Sequence, residues 1–362
     1  MTDKIPCNTY KLKTLPKWFE DVQDMTNGQR VLEEIIRRHG SNRFRIAFCP
    51  YKAEMWDAME SIFEACIFES NIKPVICPIP FAEFDFKGNL GLYRTEASRI
   101  KEMTAYVNHF VSPEQLDGFK PDYIVLHYPY DDKNTVTRID KEFLSVNLMY
   151  KGYKIIYTPY ALPYGGTSTC DLTKQPVLKH SWLIVQDSEE EKQNVINAWK
   201  KENIDLSDKI IVTGSPKRDY LLDAEETGVT NTVLIAGSLI PLLNGMPKKL
   251  LAYQRIIEAE LALNKKIIYR YHPLSTTGFL SKLPAYYPQW INFLGWCQTL
   301  TEKYDFKFDD NLRIQDTMNL CDYMYADGGS AVELWKGTKK PYEVIVKEMP
   351  SAISGQKEGL NY

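Results

Sequence analysis

Short apolar segments of strand character alternate with longer segments of helical character along this chain, in two successive series. The strand-like segments of the first series are 43–51, 72–80, 121–129, 153–161, 180–188 and 209–216. The second series follows a break near 216–231 and begins with 232–238 and 265–273. Alternating strands and helices favour parallel sheets with crossover helices. The order therefore predicts an α/β fold of two doubly wound, Rossmann-like domains that face each other across a cleft.

Helical periodicity fills the intervals between these strands. It predicts helices at 27–40, 52–70, 138–150, 189–202 and 247–264. Gly40 is a typical C-terminal cap for the first of them. Residues 312–335 hold a helix, a short strand, a glycine turn and a second helix. The stretch 275–311 is hard to assign from its pattern, and we expect it to be an insertion.

The length of 362 residues is too great for one ordinary core and suits two. We place an N-terminal domain at 1–215, a C-terminal domain at 216–345, and a tail at 346–362 that is a candidate for crossing back to the first domain. The net charge of −3 argues against a general nucleic-acid binder, which normally carries a basic excess.

The cysteines and the N-terminal residues favour a cytoplasmic protein. The seven cysteines are scattered without a C-x-x-C pair, which is typical of buried thiols and not of a zinc site or a disulfide framework. The first residues lack the apolar core of a secretory signal. The segment 11–19, KLKTLPKWF, is either a basic and aromatic membrane patch or an ordinary solvated helix start.

A glycine turn follows one predicted strand of the second series. It consists of Asp327, Gly328, Gly329 and Ser330 and leads into a helix that carries Glu333. Glycines let a backbone approach a phosphate closely, Ser330 adds a hydroxyl donor, and Glu333 suits ribose hydroxyls. The alternative is a plain strand-to-helix turn in which Ser330 is the N-cap and Glu333 completes a capping box.

Two basic side chains end the predicted strand 265–273. Arg270 and His272 are two residues apart, so they point to the same face of a strand. A guanidinium beside an imidazole is a natural diphosphate clamp. The alternative is a salt-bridged arginine beside a structural histidine.

Two further turns follow strands. The segment 213–222, TGSPKRDYLL, suggests an interdomain hinge from which Arg218 reaches a leaving phosphate, or simply a turn capped by Asp219. Gly237 and Ser238 end the strand 232–238, where they shape a phosphate cavity or merely begin a loop.

Aromatic and acidic residues end two neighbouring strands of the first series. These residues are His127, Tyr130, Asp131, Asp132, Tyr160 and Tyr164. An aspartate or histidine here is a candidate base for an acceptor alcohol. A rigid rim of Tyr and Pro without chemistry is the alternative. Lys52 and Trp56 lie at the first strand-to-helix turn, where substrates often bind, although a core role suits Trp56.

Four segments together resemble the CDP-glycerol glycerophosphotransferases, which build teichoic-acid-like polymers. The segment 213–219 resembles the family's G-x-P-R-x-D, and 269–273 resembles its R-x-H-P. Residues 321–334 resemble the stretch that ends in T-D-Y-S-S, and 48–62 resemble the first strand and helix of shorter members.

The resemblance implies a GT-B architecture, with the donor CDP-glycerol in the C-terminal domain and the acceptor in the N-terminal one. It implies that Arg270, His272 and Ser330 hold the donor diphosphate, that a base activates the acceptor hydroxyl, and that no cofactor is required. Tyr160 occupies the position of the family's basic histidine, so we expect His127 or Asp131 to supply the base. The Gly328-Gly329 turn is closer to nucleotide-sugar transferases and UDP-GlcNAc 2-epimerases, in which a glutamate like Glu333 binds ribose.

Three functions follow from these features. The first is transfer of glycerophosphate, or a related alditol phosphate, from a CDP-activated donor to a cell-surface glycan or a lipid-linked acceptor at the inner face of the membrane. The second is glycosyl transfer from a nucleotide sugar. The third is a catalytically silent protein that binds a nucleotide or a glycan, which the replacement of the family histidine by Tyr160 favours.

Overall fold

The computed structural model of the protein describes residues 25–40, 43–104, 106–163 and 172–345. Tyr164, the segment 11–19 and the tail 346–362, which the sequence analysis singled out, lie outside the described residues. The strands are β1 (Phe44–Cys49), β2 (Ile72–Ile76), β3 (Phe81–Glu83), β4 (Tyr123–Leu126), β5 (Thr137–Ile139), β6 (Lys154–Tyr157), β7 (Leu183–Gln186), β8 (Ile210–Val212), β9 (Thr232–Ala236), β10 (Lys266–Arg270), β11 (Phe306–Phe308), β12 (Tyr323–Ala326) and β13 (Tyr342–Val344).

The helices that connect and cover these strands are mostly short. They are α1 (Asn27–His39), α2 (Glu60–Phe68), α3 (Ala97–Met103), α4 (Pro113–Phe119), α5 (Ser145–Tyr150), α6 (Pro176–His180), α7 (Glu189–Lys200), α8 (Ala224–Thr227), α9 (Leu239–Gly245), α10 (Lys248–Ala262), α11 (Ser275–Lys282), α12 (Tyr287–Thr301), α13 (Ile314–Asn319) and α14 (Ser330–Lys336). Gly40 ends α1 with φ 75°, as the sequence predicts.

Two parallel sheets organise the described residues. The first has six strands in the order β2-β1-β4-β6-β7-β8, and the second has five in the order β11-β10-β9-β12-β13. β3 and β5 pair separately and antiparallel. The strand positions of the sequence analysis fall on these two sheets, because runs such as Ile124-Val125-Leu126 are apolar on both faces, as strands covered on both sides require.

Alternate residues of each strand enter separate cores. In the first sheet, Ile124 and Ile155 pack on one face, whereas Val125 and Ile156 pack on the other. The second sheet is built in the same way, with its own two clusters. Each sheet is therefore the centre of a three-layer unit.

Three predicted segments differ from the structure. The predicted helix 52–70 is divided into a 3₁₀ turn, Ala53–Ala58, and α2, because Met59 between them has φ −137° and ψ −5°. The predicted helix 138–150 begins later, at Ser145, since β5 and a 3₁₀ turn capped by Asp140 occupy its first half. The stretch 275–311 is no insertion. It forms α11, α12 and β11, and Trp290 and Phe279 stack in the core at a ring distance of 5.3 Å.

Candidate functional site

The carboxyl ends of the two sheets carry the loops through which the two halves of the chain touch. The Leu162 N–H donates to Ser330 Oγ at 3.0 Å. The Thr277 hydroxyl donates to Glu83 Oε2 at 2.9 Å. In parallel sheets the ligand crevice lies beyond the carboxyl ends of the strands, so the candidate site lies where these loops meet.

The segment 213–219 links the halves with buried polar contacts. Lys217 Nζ pairs with the Asp57 carboxylate, and both side chains are more than nine-tenths buried. The Gln315 amide donates to Asp57 Oδ2 at 2.9 Å and to the Lys217 carbonyl at 2.6 Å. Asp219 is the C-cap of its own turn, Pro216–Arg218, and its carboxylate also accepts from the backbone N–H groups of Asn27 and Gly28 at 3.0 Å, at the start of α1.

Arg218 also connects the two halves of the chain. Its Nη2 lies 2.8 Å from Asp187 Oδ2, its Nε contacts both oxygens of that carboxylate, and its Nη1 donates to the Glu333 carbonyl at 3.0 Å. The guanidinium thus joins the end of β7 to α14. A contact between Arg218 and a leaving phosphate stays a prediction, and it would have to compete with Asp187.

The glycine turn and the loop after β9 form one unit in the C-terminal half. Gly328 and Gly329 have φ 103° and 82°, a region that favours glycine. Asp327 Oδ1 accepts from the Ser238 N–H at 2.6 Å, and the Ser238 hydroxyl donates to the Gly328 carbonyl at 2.6 Å. Asp327 also accepts from the Tyr253 hydroxyl. Hydrogen bonds therefore join the loop after β9, which contains Gly237 and Ser238, to the loop after β12, which contains residues 327–329. We call these two loops the fastened loops.

Asp327 has a structural position in this unit. Its side chain is buried, and burial raises the pKa of its carboxyl, opposed by the hydrogen bonds from Tyr253 and Ser238. A contact between Asp327 and the donor stays a prediction, and its two oxygens already accept from Ser238 and Tyr253 beneath the turn. Gly237 lies beside the same tyrosine: a Cβ there would lie 3.2 Å from Tyr253 Oη, so the tight packing suits glycine.

Ser330 and Glu333 do not make the alternative capping box. Gly329 is the N-cap of α14, and Ser330 is its first residue. The Ser330 hydroxyl accepts the Leu162 N–H of the other half, and the Glu333 carboxylate pairs with Lys336 Nζ at 2.8 Å. Ser330 therefore lies at the boundary between the two sheets.

Arg270 and His272 have different surroundings. Arg270 Nη1 lies 2.6 Å from Asp309 Oδ2 and donates to the Asn311 carbonyl at 2.7 Å, so this arginine is salt-bridged, as the alternative to the clamp supposes. His272 Nδ1 accepts the Leu274 N–H at 3.1 Å. Burial lowers the pKa of His272 to about 4, so the neutral ring carries its proton on Nε2 and can act as a donor there.

Asp309 contacts a predicted site residue, Arg270, but the sequence did not point to it. It is fully buried, and it accepts from the Thr317 hydroxyl at 2.7 Å as well as from Arg270. It follows β11, in the stretch 275–311 that the sequence analysis left unassigned. The sequence Asp-Asp-Asn at the end of a strand is the local pattern that could have indicated it.

His127 is not placed to act as a base. It is fully buried, and its Nε2 accepts the Tyr51 N–H at 2.8 Å. Burial and the charge of Lys217 lower the pKa of His127 to about 3, which keeps the ring neutral. A role of His127 as the base stays a prediction that this geometry does not favour, since the Nε2 lone pair is already used and no solvent reaches the ring.

Asp131 is also a structural group. It is buried, and its carboxylate accepts from the Ser145 N–H at 2.7 Å and from the Ser145 hydroxyl at 2.6 Å, which places it at the start of α5. Burial raises the pKa of Asp131, opposed by these hydrogen bonds. A role of Asp131 as the base stays a prediction that this geometry does not favour. Tyr160 is half-buried with its hydroxyl 2.6 Å from the Tyr130 hydroxyl, and its role stays a prediction.

Lys52, at the first strand-to-helix turn, lies at the mouth between the halves. Its Nζ lies 3.3 Å from Glu96 Oε1 and 4.6 Å from the centre of the Phe81 ring. Lys52 Nζ also lies 3.7 Å from Glu83 Oε1, and Glu83 accepts the Thr277 hydroxyl of α11, so the loop after β1 lies near a contact between the two halves. Trp56 is fully buried in the core, as its alternative interpretation supposes.

Neither a metal centre nor a membrane-spanning helix is found in the described ranges. Within them, His, Cys, Asp and Glu side chains do not gather in groups of three that could ligate a metal ion. Every helix there is too short or too polar to span a lipid bilayer.

Several solved structures have a chain path similar to that of this protein. The S. aureus MnaA–UDP co-structure has a TM-score of 0.52 and 14% sequence identity, over 83% of this chain and 78% of that chain. The chain has the GT-B fold. The predicted fold class is thereby confirmed.

Two further structures have lower scores. A UDP-GlcNAc 2-epimerase from Neisseria meningitidis bound to UDP-GlcNAc has a TM-score of 0.46 and 14% identity, over 83% of this chain and 82% of that chain. The wall teichoic acid polymerase TagF has a TM-score of 0.46 and 12% identity, over 87% of this chain and 72% of that chain. No protein-family model matches the chain. No curated protein matches it either.

Proposed function

We propose that this protein is a transferase that binds a nucleoside-diphosphate-activated donor at the two fastened loops of its C-terminal half. The observation that carries the proposal is the unit formed by Gly237-Ser238 and Gly328-Gly329, which Asp327 holds together at neighbouring strand ends. Glycine backbone at such a place suits a diphosphate. The Nε2–H of neutral His272, at the end of β10, supplies a further donor for phosphate oxygens.

The donor that we propose is a CDP-activated alditol phosphate such as CDP-glycerol. The support is the likeness of residues 213–219 and 269–273 to the glycerophosphotransferase segments. In this reaction an acceptor hydroxyl oxygen attacks the phosphorus that carries glycerol. A new phosphoester bond forms, the phosphoanhydride bond breaks, CMP leaves with the bonding electron pair, and the acceptor proton passes to a base.

The acceptor in this proposal is a glycan or a lipid-linked glycan. The enzyme then acts in the cytoplasm at the inner face of the membrane, with peripheral contact and without nucleic acid as a partner. The proposal includes no cofactor, and the nucleotide is the leaving group.

A nucleotide sugar is the second candidate donor. The Gly328-Gly329 turn followed by Glu333 favours it, and so does the fold likeness to MnaA, whose structure includes UDP. Here the acceptor oxygen attacks the anomeric carbon, and a nucleoside diphosphate leaves with the electron pair of the broken C–O bond. A silent protein that only binds a nucleotide or a glycan is the third candidate.

Calorimetric titration with CDP-glycerol, CDP, CMP, UDP and UDP-GlcNAc distinguishes these candidates. The test variant is Gly329→Ala, in which the new methyl group would lie 2.9 Å from Ser238 Oγ, at φ 82°. Gly88→Ala is the matched control, because Gly88 has φ 80° with nothing within 4 Å of its added Cβ. We expect wild type and Gly88→Ala to bind a nucleotide equally and Gly329→Ala to bind it at least tenfold more weakly.

Each outcome selects a different conclusion. Preference for cytidine nucleotides supports the alditol-phosphate donor, and preference for uridine nucleotides replaces it with the nucleotide sugar. Binding without turnover in the presence of acceptors supports the silent protein. Failure of every nucleotide to bind wild type contradicts the proposed function.

A further inference from the structure

A cavity of about 500 Å³ lies in the N-terminal half, and its lining includes no residue of the fastened loops. It is bounded by the carboxyl ends of β6, β7 and β8 on one side and by α7 on the other. This volume lies within the range of small-molecule sites, about 300 to 1,000 Å³. None of His127, Asp131 and Tyr160 lines it.

The cavity adjoins the candidate donor site through two of its own lining residues. Leu162 lines the cavity, and its N–H donates to Ser330 Oγ at the start of α14. Asp187 lines it too, and through Arg218 it is connected to the Glu333 carbonyl of the same helix. A group bound in the cavity therefore lies beside the glycine turn, across the boundary between the two sheets.

The inner wall combines apolar surface with neutral and acidic hydrogen-bonding groups. Leu162, Leu172 and Val185 supply apolar contact, and Gln186, which is buried, supplies an amide. Pockets that combine apolar walls with a few polar groups fix the orientation of a ligand by hydrogen bonds.

Two carboxyl groups set the charge preference of the cavity. Asp187 Oδ1 accepts the Ser215 N–H at 2.8 Å, and Glu191 Oε2 accepts the Asp187 N–H at 3.2 Å. Burial, together with the neighbouring charge of Asp187, raises the pKa of Glu191 to about 7. Arg218 offsets the charge of Asp187, so an anion in the cavity would chiefly meet the Glu191 carboxyl, whereas hydroxyl groups can donate to both carboxyl groups and accept from the Gln186 amide. The lining lysines, Lys174 and Lys201, are exposed at the rim.

We propose that this cavity is the acceptor site and that it takes a neutral, hydroxyl-bearing sugar ring, not a phosphate-bearing end group. This inference rests on the proposed function, since it assigns the acceptor of that reaction. One face of a sugar ring is apolar and its edge carries hydroxyls, which matches a wall of Leu and Val beside carboxyl and amide groups.

Saturation-transfer NMR with small probes tests the assignment. The neutral probes are the methyl glycosides of glucose, galactose and N-acetylglucosamine, and the anionic probe is glycerol 3-phosphate. The blocking variant is Asn194→Trp, at an exposed residue of α7 that lines the cavity. The matched control is Gln193→Trp, next to it on the helix, also exposed and outside the lining. Ala198→Trp is a second blocking variant, deeper in the cavity.

We expect at least one methyl glycoside to bind wild type and Gln193→Trp equally, and to bind Asn194→Trp at least tenfold more weakly. The inference is overturned if none of the glycosides binds wild type, if both blocking variants bind like wild type, or if glycerol 3-phosphate binds more tightly than the glycosides. Nucleotide titration of the same samples separates the two ideas. Nucleotide binding without glycoside binding overturns only the assignment of the cavity as the acceptor site. Glycoside binding without nucleotide binding overturns only the proposed function.

Discussion

The Tyr253 hydroxyl donates a hydrogen bond to Asp327 Oδ2, and both groups are buried beneath the glycine turn. Tyr253 lies in α10 and Asp327 follows β12, so a helix of the core holds the loop after β12 in position at the candidate donor site. Asp327 passes this constraint to the Ser238 N–H on the neighbouring loop. The shape of the proposed donor site thus depends on a residue that does not contact the ligand.

Tyr253→Phe should weaken both stability and nucleotide binding. It leaves one oxygen of a buried carboxylate without its donor, which typically costs about 1–3 kcal/mol. Urea denaturation measures the free energy of unfolding, and calorimetry measures nucleotide affinity. Tyr325→Phe is the control, because Tyr325 lies in the same half of the chain and donates to Glu260 at 2.7 Å, not to Asp327. Equal nucleotide affinity in both variants would contradict a positioning role for Tyr253.

Lys217→Met should destabilise the junction between the two halves. Asp57 would then be a buried carboxylate without its cation, and breaking a buried ion pair costs about 3–5 kcal/mol. The double variant Asp57→Leu/Lys217→Met should recover most of this loss, because no charge stays buried. Denaturant unfolding of the two single variants and the double variant gives the coupling free energy. Additive losses would show that the two side chains do not interact.

The sequence predicted which residues stand at strand ends, but not what lies opposite them. The apolar runs of β4, β6 and β7 and the glycines at 328 and 329 carry local signals of strand and turn. The partners of Arg218 and Arg270 are Asp187 and Asp309, 31 and 39 residues distant along the chain. No local pattern encodes such pairs, because the packing of whole elements brings them together.

The inward contacts of His127 and Asp131 could not be predicted for the same reason. Both follow β4 at the carboxyl edge, where catalytic groups are expected. His127 is turned toward the backbone of Tyr51, and Asp131 toward the start of α5. Whether such a side chain turns inward or toward a ligand depends on its direction. The alternation of side chains along a strand does not determine that direction beyond the last residue of the strand.

The buried ring of His127 should make the protein less stable in acid. Its pKa is lowered to about 3 in the folded chain, against about 6.5 in the unfolded chain. As pH falls through 6.5 the unfolded state takes up the proton first, so stability is lost from about pH 6.5 down to about pH 3. His127→Gln should reduce the loss between pH 7 and pH 5.5 by about 1 kcal/mol, measured by urea denaturation. An identical loss in wild type and variant would contradict the assignment.

Trp290→Ala should show that the segment 275–311 belongs to the core of the C-terminal half. Trp290 is fully buried, stacks on Phe279, and donates from Nε1 to the Thr276 hydroxyl at 3.2 Å. Removing a buried indole typically costs about 3–5 kcal/mol. Ile291→Ala is the control on the same helix, because Ile291 is 41% exposed and should change stability by less than about 1 kcal/mol. Thermal and urea unfolding measure both variants, and a loss at Trp290 no larger than at Ile291 would mean that the segment is peripheral.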